Sequence, residues 1–229
     1  MMKLALLAVA GVAGCASAQV VFDSVWNNGF YTPFNSTTPS TVRYGDSGWL
    51  GGPGSAPMQL DRIVLGMVVY NGGSTPVAAG TTNVRVTFND GDPSGFVFGP
   101  GTTLRTVNIG AVPLPALDAG SFSSFALEVP LSAVSTSGNF NNVGWSLSVN
   151  SFNYGGSMGF ACSDANAMTA GFYTSNASFY NGSSWSLFSF GSNPVTGIAQ
   201  FQATIYKIPA PGALGLLGLA ALGARRRRA

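Results

Sequence analysis

The residues best placed to do chemistry sit in one short run, Asn89-Asp90-Gly91-Asp92. Two carboxylates and an amide oxygen in a tight loop are the hard donors that Ca²⁺ takes. Asp90 and Asp92 are therefore a candidate cation site, although no Glu follows at the spacing of a helix-loop-helix calcium loop. The same run suits a turn at a strand end, where Asn and Asp bond their own backbone. No cofactor other than Ca²⁺ is implied. The 229-residue chain has no histidine, which excludes a Ser-His-Asp triad, a His-ligated metal and an imidazole proton shuttle. Serines and threonines are plentiful, but no Ser-x-x-Lys pattern supplies an activating base. Glycoside hydrolysis needs only two carboxylates about 5–10 Å apart. The chain has eight acids, with Glu128 the only glutamate, and nothing in their spacing selects a pair. The expectation is a protein that is not an enzyme; a secreted carbohydrate-active hydrolase using a carboxylate pair is the alternative.

Aromatic rings offer binding chemistry instead. Trp26, Phe30, Tyr31, Phe34, Trp49, Phe172, Tyr173, Phe179, Tyr180 and Trp185 lie in loop-like or weakly patterned stretches among Asn and Ser. Flat rings beside hydroxyls suit the faces of sugars; equally, aromatics fill cores. The Gly-rich run Gly48 to Gly54 lacks the Lys and following helix of a phosphate cradle and reads as a loop. Three sequons, at Asn35, Asn176 and Asn181, mark acceptor positions only where glycosylation machinery exists.

The elements that position these residues lie between two terminal signals. Met1-Met2-Lys3, an apolar run from Leu4 to Gly14 and the small-x-small site Ala16-Ser17-Ala18 form a secretory signal peptide over residues 1–18, cut after Ala18. The run is shorter than the roughly 20 residues of a membrane span. Val12-Ala13-Gly14-Cys15 also resembles a bacterial lipobox, which makes Cys15 a candidate lipidation site. At the other end, Pro209-Ala210-Pro211 precedes a Gly/Leu/Ala-rich run to Ala224 and the block Arg225, Arg226, Arg227, Arg228. An apolar helix closed by arginines is the pattern of a segment stopped in a membrane, cations on the cytoplasmic side.

That tripartite end, residues 208–229, resembles the PEP-CTERM sorting signal of Gram-negative bacteria. The resemblance covers the tail alone, and Ala210 stands where the family motif has Glu. It implies three partners for the chain: the export machinery, the inner membrane through the C-terminal helix, and an exosortase-type enzyme that removes the tail. The implied destination is the cell surface or extracellular matrix, where a further partner would be extracellular polysaccharide.

Charge agrees with export more than with nucleic acid. Lys3 and the four terminal arginines belong to the signals. The segment between keeps five cations against eight acids, a net of −3, and shows no basic patch for nucleic acid. After cleavage Cys162 is the lone cysteine, so it either packs as a small hydrophobe beside Phe160 or pairs between molecules.

Residues 19–207 read as one domain of short apolar-polar alternations. Val84/Val86/Phe88, Phe125/Leu127/Val129, Trp145/Leu147/Val149 and Phe201/Ala203/Ile205 each alternate with polar or small residues. Met58 to Tyr70 is longer and more continuously apolar, which suits a central strand covered on both faces. Asn71-Gly72-Gly73, Asn89 to Pro93, Gly99-Pro100-Gly101 and Asn181-Gly182 supply turns. The predicted fold is all-β, a single antiparallel β-sandwich with jelly-roll-like or Ig-like connections.

Overall fold

A computed structural model describes residues 18–24, 29–96, 101–163, 168–174, 177–187 and 200–209. Cys15, Ala16, Trp26, Gly99, Pro100, Asn176, Ala210, Pro211 and Arg225 to Arg228 lie outside the described residues. So do the signal peptide up to Ser17 and the C-terminal helix. Among the described residues there is no α-helix, and none is long and apolar enough to cross a membrane. Residues Gln19–Ile208 form one compact unit.

Two large antiparallel sheets make that unit. The first runs in the order β10-β1-β15-β3-β6, from Met168–Ala170 (β10), Gln19–Ser24 (β1), Ala203–Lys207 (β15), Gln59–Tyr70 (β3) and Phe122–Ser135 (β6). Ser157–Phe160 (β8) pairs with the C-terminal half of β3, in line with β15 on its N-terminal half. The second runs β13-β12-β2-β7-β4-β5, from Trp185–Leu187 (β13), Ser178–Tyr180 (β12), Arg43–Trp49 (β2), Asn142–Asn153 (β7), Gly80–Asp90 (β4) and Thr102–Leu114 (β5). Phe172–Tyr173 (β11) also pairs with β2. Gln200–Phe201 (β14) and Cys162–Ser163 (β9) form a separate two-stranded ladder.

The sandwich follows from period-2 patterning. Ile63, Leu65, Met67 and Val69 of the first sheet and Val84, Val86, Phe88, Trp145 and Leu147 of the second are all at most 1% exposed, and they belong to one core cluster. Phe22 meets Trp145 edge-on across the layers at 5.2 Å, and Phe160 stacks on Phe201 at 4.5 Å. Burying each such ring stabilises the fold by roughly 2–3 kcal/mol.

Two strands depart from the pattern read in the sequence. β3 is central, flanked by β6 on one edge and by β15 and β8 on the other, yet its outer face is only half covered. Val64, Gly66 and Tyr70 are partly exposed there. Conversely, Ser146 and Ser148 of β7 are 2% and 3% exposed although they alternate with core residues. A cover explains the burial at Ser146. The loop after β4 folds over the outer face of β7, so a Cβ at Gly144 would stand 2.5 Å from Pro93 Cδ and closer still to the Gly91 carbonyl oxygen. Only glycine lets that loop lie so close.

Candidate functional site

The outer face of the first sheet carries the most chemically suggestive hollow. Strand alternation turns Val64, Gly66, Val68 and Tyr70 outward from β3. Register then sets Glu128, Ala126, Ser124 and Phe122 of β6 opposite them. On the other edge Ser157 pairs with Tyr70 and Gly159 with Val68. Beyond β8 the chain from Phe30 to Phe34 adds a further extended segment. Thr32 N–H donates to Phe160 O (3.1 Å), and Phe34 and Met158 exchange backbone bonds (2.6 and 2.9 Å). This brings Phe30 and Tyr31 alongside Tyr70 and Phe122, four aromatic residues from three separate stretches of sequence.

Together with Gly29 and Val68 they line an open hollow of about 320 Å³. Phe122 is 70% exposed and Phe30 39%. Tyr31 and Tyr70 meet edge to face at 6.0 Å, and Tyr31 Oη shares a 2.8 Å hydrogen bond with Ser157 Oγ. An adjoining hollow of about 390 Å³ continues along the same face over Gly66, Ser124, Ala126, Gln202 and Thr204. Small side chains at Ser124 and Ala126 keep the floor low, the Gln202 side chain lies over Gly66, and the rings form a wall at one end. From Tyr70 to Val64 this face runs about 20 Å along the strand. Neither hollow is lined by a carboxylate. Apolar platforms beside hydroxyl and amide groups can hold a sugar ring by its C–H face while its hydroxyls find partners.

The other sequence-selected residues go to different places. Asp92 is buried, and its Oδ1 accepts from Ser94 N–H (2.8 Å) and Ser94 Oγ (2.6 Å); Asp90 Oδ1 accepts from Ser137 Oγ (2.9 Å). The loop is thus tied by Ser94 within it and by Ser137 from the segment before β7, and no group of three or more Cys, Asp or Glu among the described residues could hold a metal ion. Asp61 and Glu128 lie 2.5 and 3.7 Å from Arg62, whose guanidinium sits 4.0 Å over the Tyr206 ring. Of the aromatics, Phe34 is wholly buried and Phe179 packs on Tyr44. Trp49 packs on Phe140, and Tyr180 on Trp185. Phe172 is exposed beside Trp49.

Cys162 is completely buried, and burial, with the nearby Asp46 charge, pushes its thiol far above the usual range. It occupies the place of a small core hydrophobe. Sequence reasoning missed Asp46, counted only as one acid among eight. It lies 1% exposed on the core-facing side of β2, and its two oxygens accept from Ser47 N–H and Phe201 N–H, each at 2.8 Å. Burial raises its pKa well above the ordinary carboxylate range; those two bonds oppose the shift and the charge of Asp92 adds to it. Nearby, Tyr173 Oη bonds Ser24 Oγ (2.5 Å) and donates to Phe201 O (2.8 Å), so a polar seam ties the last strands to both sheets. Only the short motif Tyr44-Gly45-Asp46, with polar Asp46 two residues after aromatic Tyr44, hinted at a carboxylate on an inward face.

No family model matches the chain, and no curated protein matches it. Among solved structures it is similar to chains of infectious bursal disease virus particles. The Gt-strain structure aligns at 14% identity and TM-score 0.30, covering 92% of this chain and 42% of that one. The crystal structure of the viral particle aligns at 16% identity and TM-score 0.28, covering 99% and 51%. The chain thus spans about half the length of those it resembles.

Proposed function

We propose that this chain is an exported, non-catalytic surface or matrix protein whose jelly-roll domain binds polysaccharide in the hollow beside Tyr70 and Phe122. Jelly-roll connectivity is favoured over Ig-like connectivity by strand order. Counting only the eight main strands, one sheet reads first-eighth-third-sixth and the other second-seventh-fourth-fifth, the pattern of two interlocked Greek keys. Export and surface sorting rest on the signal-peptide pattern of residues 1–18 and the PEP-CTERM resemblance of 208–229. The observation that carries the binding reading is the gathering of Phe30, Tyr31, Tyr70 and Phe122 around one open, carboxylate-free hollow.

Binding is tested by presenting the purified protein to a glycan array. Tyr70→Ala and Phe122→Ala should each weaken retention about tenfold, a loss of ~1.4 kcal/mol. Trp49→Ala, which touches neither hollow, should leave it unchanged. Retention that ignores Tyr70 and Phe122, or no retention on any glycan, overturns the assignment. Export is tested by deleting residues 209–229. The truncated chain should move from the envelope fraction to the medium or periplasm, and identical fractionation of both chains rejects the sorting reading.

A further inference from the structure

A second, differently charged ledge lies on the other sheet. Register sets Arg43 of β2, Tyr180 of β12 and Trp185 of β13 in one row across three adjacent strands. Their neighbours Tyr44 and Phe179 pack against the core, so alternation turns this row to the outer face. The Tyr180 and Trp185 rings meet at 5.2 Å, tilted by 45°, and the Arg43 guanidinium lies 5.5 Å over the Tyr180 ring. The Asn181-Gly182 turn holds the two short strands in register: Asn181 Oδ1 accepts from Ser183 N–H (2.8 Å) and Ser184 N–H (3.0 Å). Leu187, 51% exposed, ends the hairpin.

Arg43 makes no ion pair among the described residues, although the domain carries more acids than cations. A guanidinium placed over a tyrosine ring keeps N–H groups free to pair with a carboxylate in fork geometry. The adjacent indole offers a sugar-sized apolar face. We infer that the Arg43–Tyr180–Trp185 row is a separate binding site for an acidic sugar, a uronate residue of a polysaccharide, its carboxylate on Arg43 and its ring against Trp185. The inference extends the polysaccharide reading above but uses a different face and a different charge. With both sites filled, one molecule joins a neutral chain on one sheet to an acidic chain on the other, which makes the domain a cross-linker.

Affinity electrophoresis of the purified protein in gels containing polygalacturonate or a neutral glucan separates the two sites. Arg43→Gln and Trp185→Ala should each lower polygalacturonate retention about tenfold and leave glucan retention unchanged. Added salt should weaken only the polygalacturonate interaction. Tyr70→Ala should do the reverse, lowering glucan retention alone. Thermal melting of each variant separates loss of the ledge from loss of the fold, and Arg43→Lys, which keeps the charge without the fork, should recover only part of the retention. Polygalacturonate binding that survives Arg43→Gln, or that disappears with Tyr70→Ala, overturns the second site. Binding to polygalacturonate through Arg43 with no glucan binding at all would remove the groove reading and leave this one standing.

Discussion

The outer faces of the two sheets are treated oppositely. On β7 the loop from Gly91 to Pro93 lies directly on the backbone at Gly144, and Ser146 beside it is buried. On β3 and β6 the Gln202 side chain lies over Gly66, but Ser124 and Ala126 stay exposed and a hollow remains. Both faces are built from small residues. The difference is whether a loop uses the space for packing or leaves it open. Small side chains on a sheet are therefore ambiguous until the next loop is placed.

Substitution should expose that contrast most sharply at Gly144. Gly144→Val drives a side chain into the Gly91 carbonyl and Pro93, and should cost about 3 kcal/mol by overpacking. The matched change on the open face, Ala126→Val, should stay within ~0.5 kcal/mol, as surface changes usually do. Chemical denaturation of both variants measures the pair, and equal losses would erase the distinction between the faces.

A smaller effect is expected at Asp46, on the inward side of the covered sheet. Asp46→Asn keeps one acceptor oxygen for two backbone N–H groups and should cost about 1–2 kcal/mol near neutral pH. The pH dependence has a definite sign. Because the folded pKa is raised, the folded state holds the proton longer than the unfolded chain. The Asp46 contribution to stability is fully present below about pH 4 and is lost as pH rises through its folded pKa. The Asn variant should lose that slope. Tyr173 and Cys162, both raised mainly by burial, should add a second decline from about pH 9 upward, shallower in the Asn variant because the Asp46 charge that also raises both is gone. Melting temperatures of both chains at stepped pH decide; a wild type that gains stability relative to Asp46→Asn from pH 4 to 7 would place the Asp46 shift in the wrong direction.

The sequence made the sandwich legible wherever one rule sufficed. Val84, Val86 and Phe88 alternate with Arg85 and Thr87, and all three point inward as patterning requires. Asn181-Gly182 announced its hairpin through turn chemistry alone. What stayed hidden depends on contacts between distant segments. Ser146 looks solvent-facing until Pro93 covers it. Phe30 and Tyr31 could be singled out by type, but Tyr70 sat inside an apolar run and Phe122 at a strand start. Nothing local says that strand register brings all four together. Asp46 was hidden for the same reason, since its partner Phe201 lies 155 residues away.

The pairing of the first and last main strands has a mechanical consequence. Gln19 is the register partner of Lys207, so the domain's chain enters and leaves side by side on adjacent antiparallel strands. Tension applied between those two ends loads the ladder of backbone hydrogen bonds across its width, one rung after another, rather than shearing all rungs together. A molecule held at both ends would unzip from β1 at low force. Held at one end and pulled through a ligand on its sheet faces, it would be loaded through the core instead.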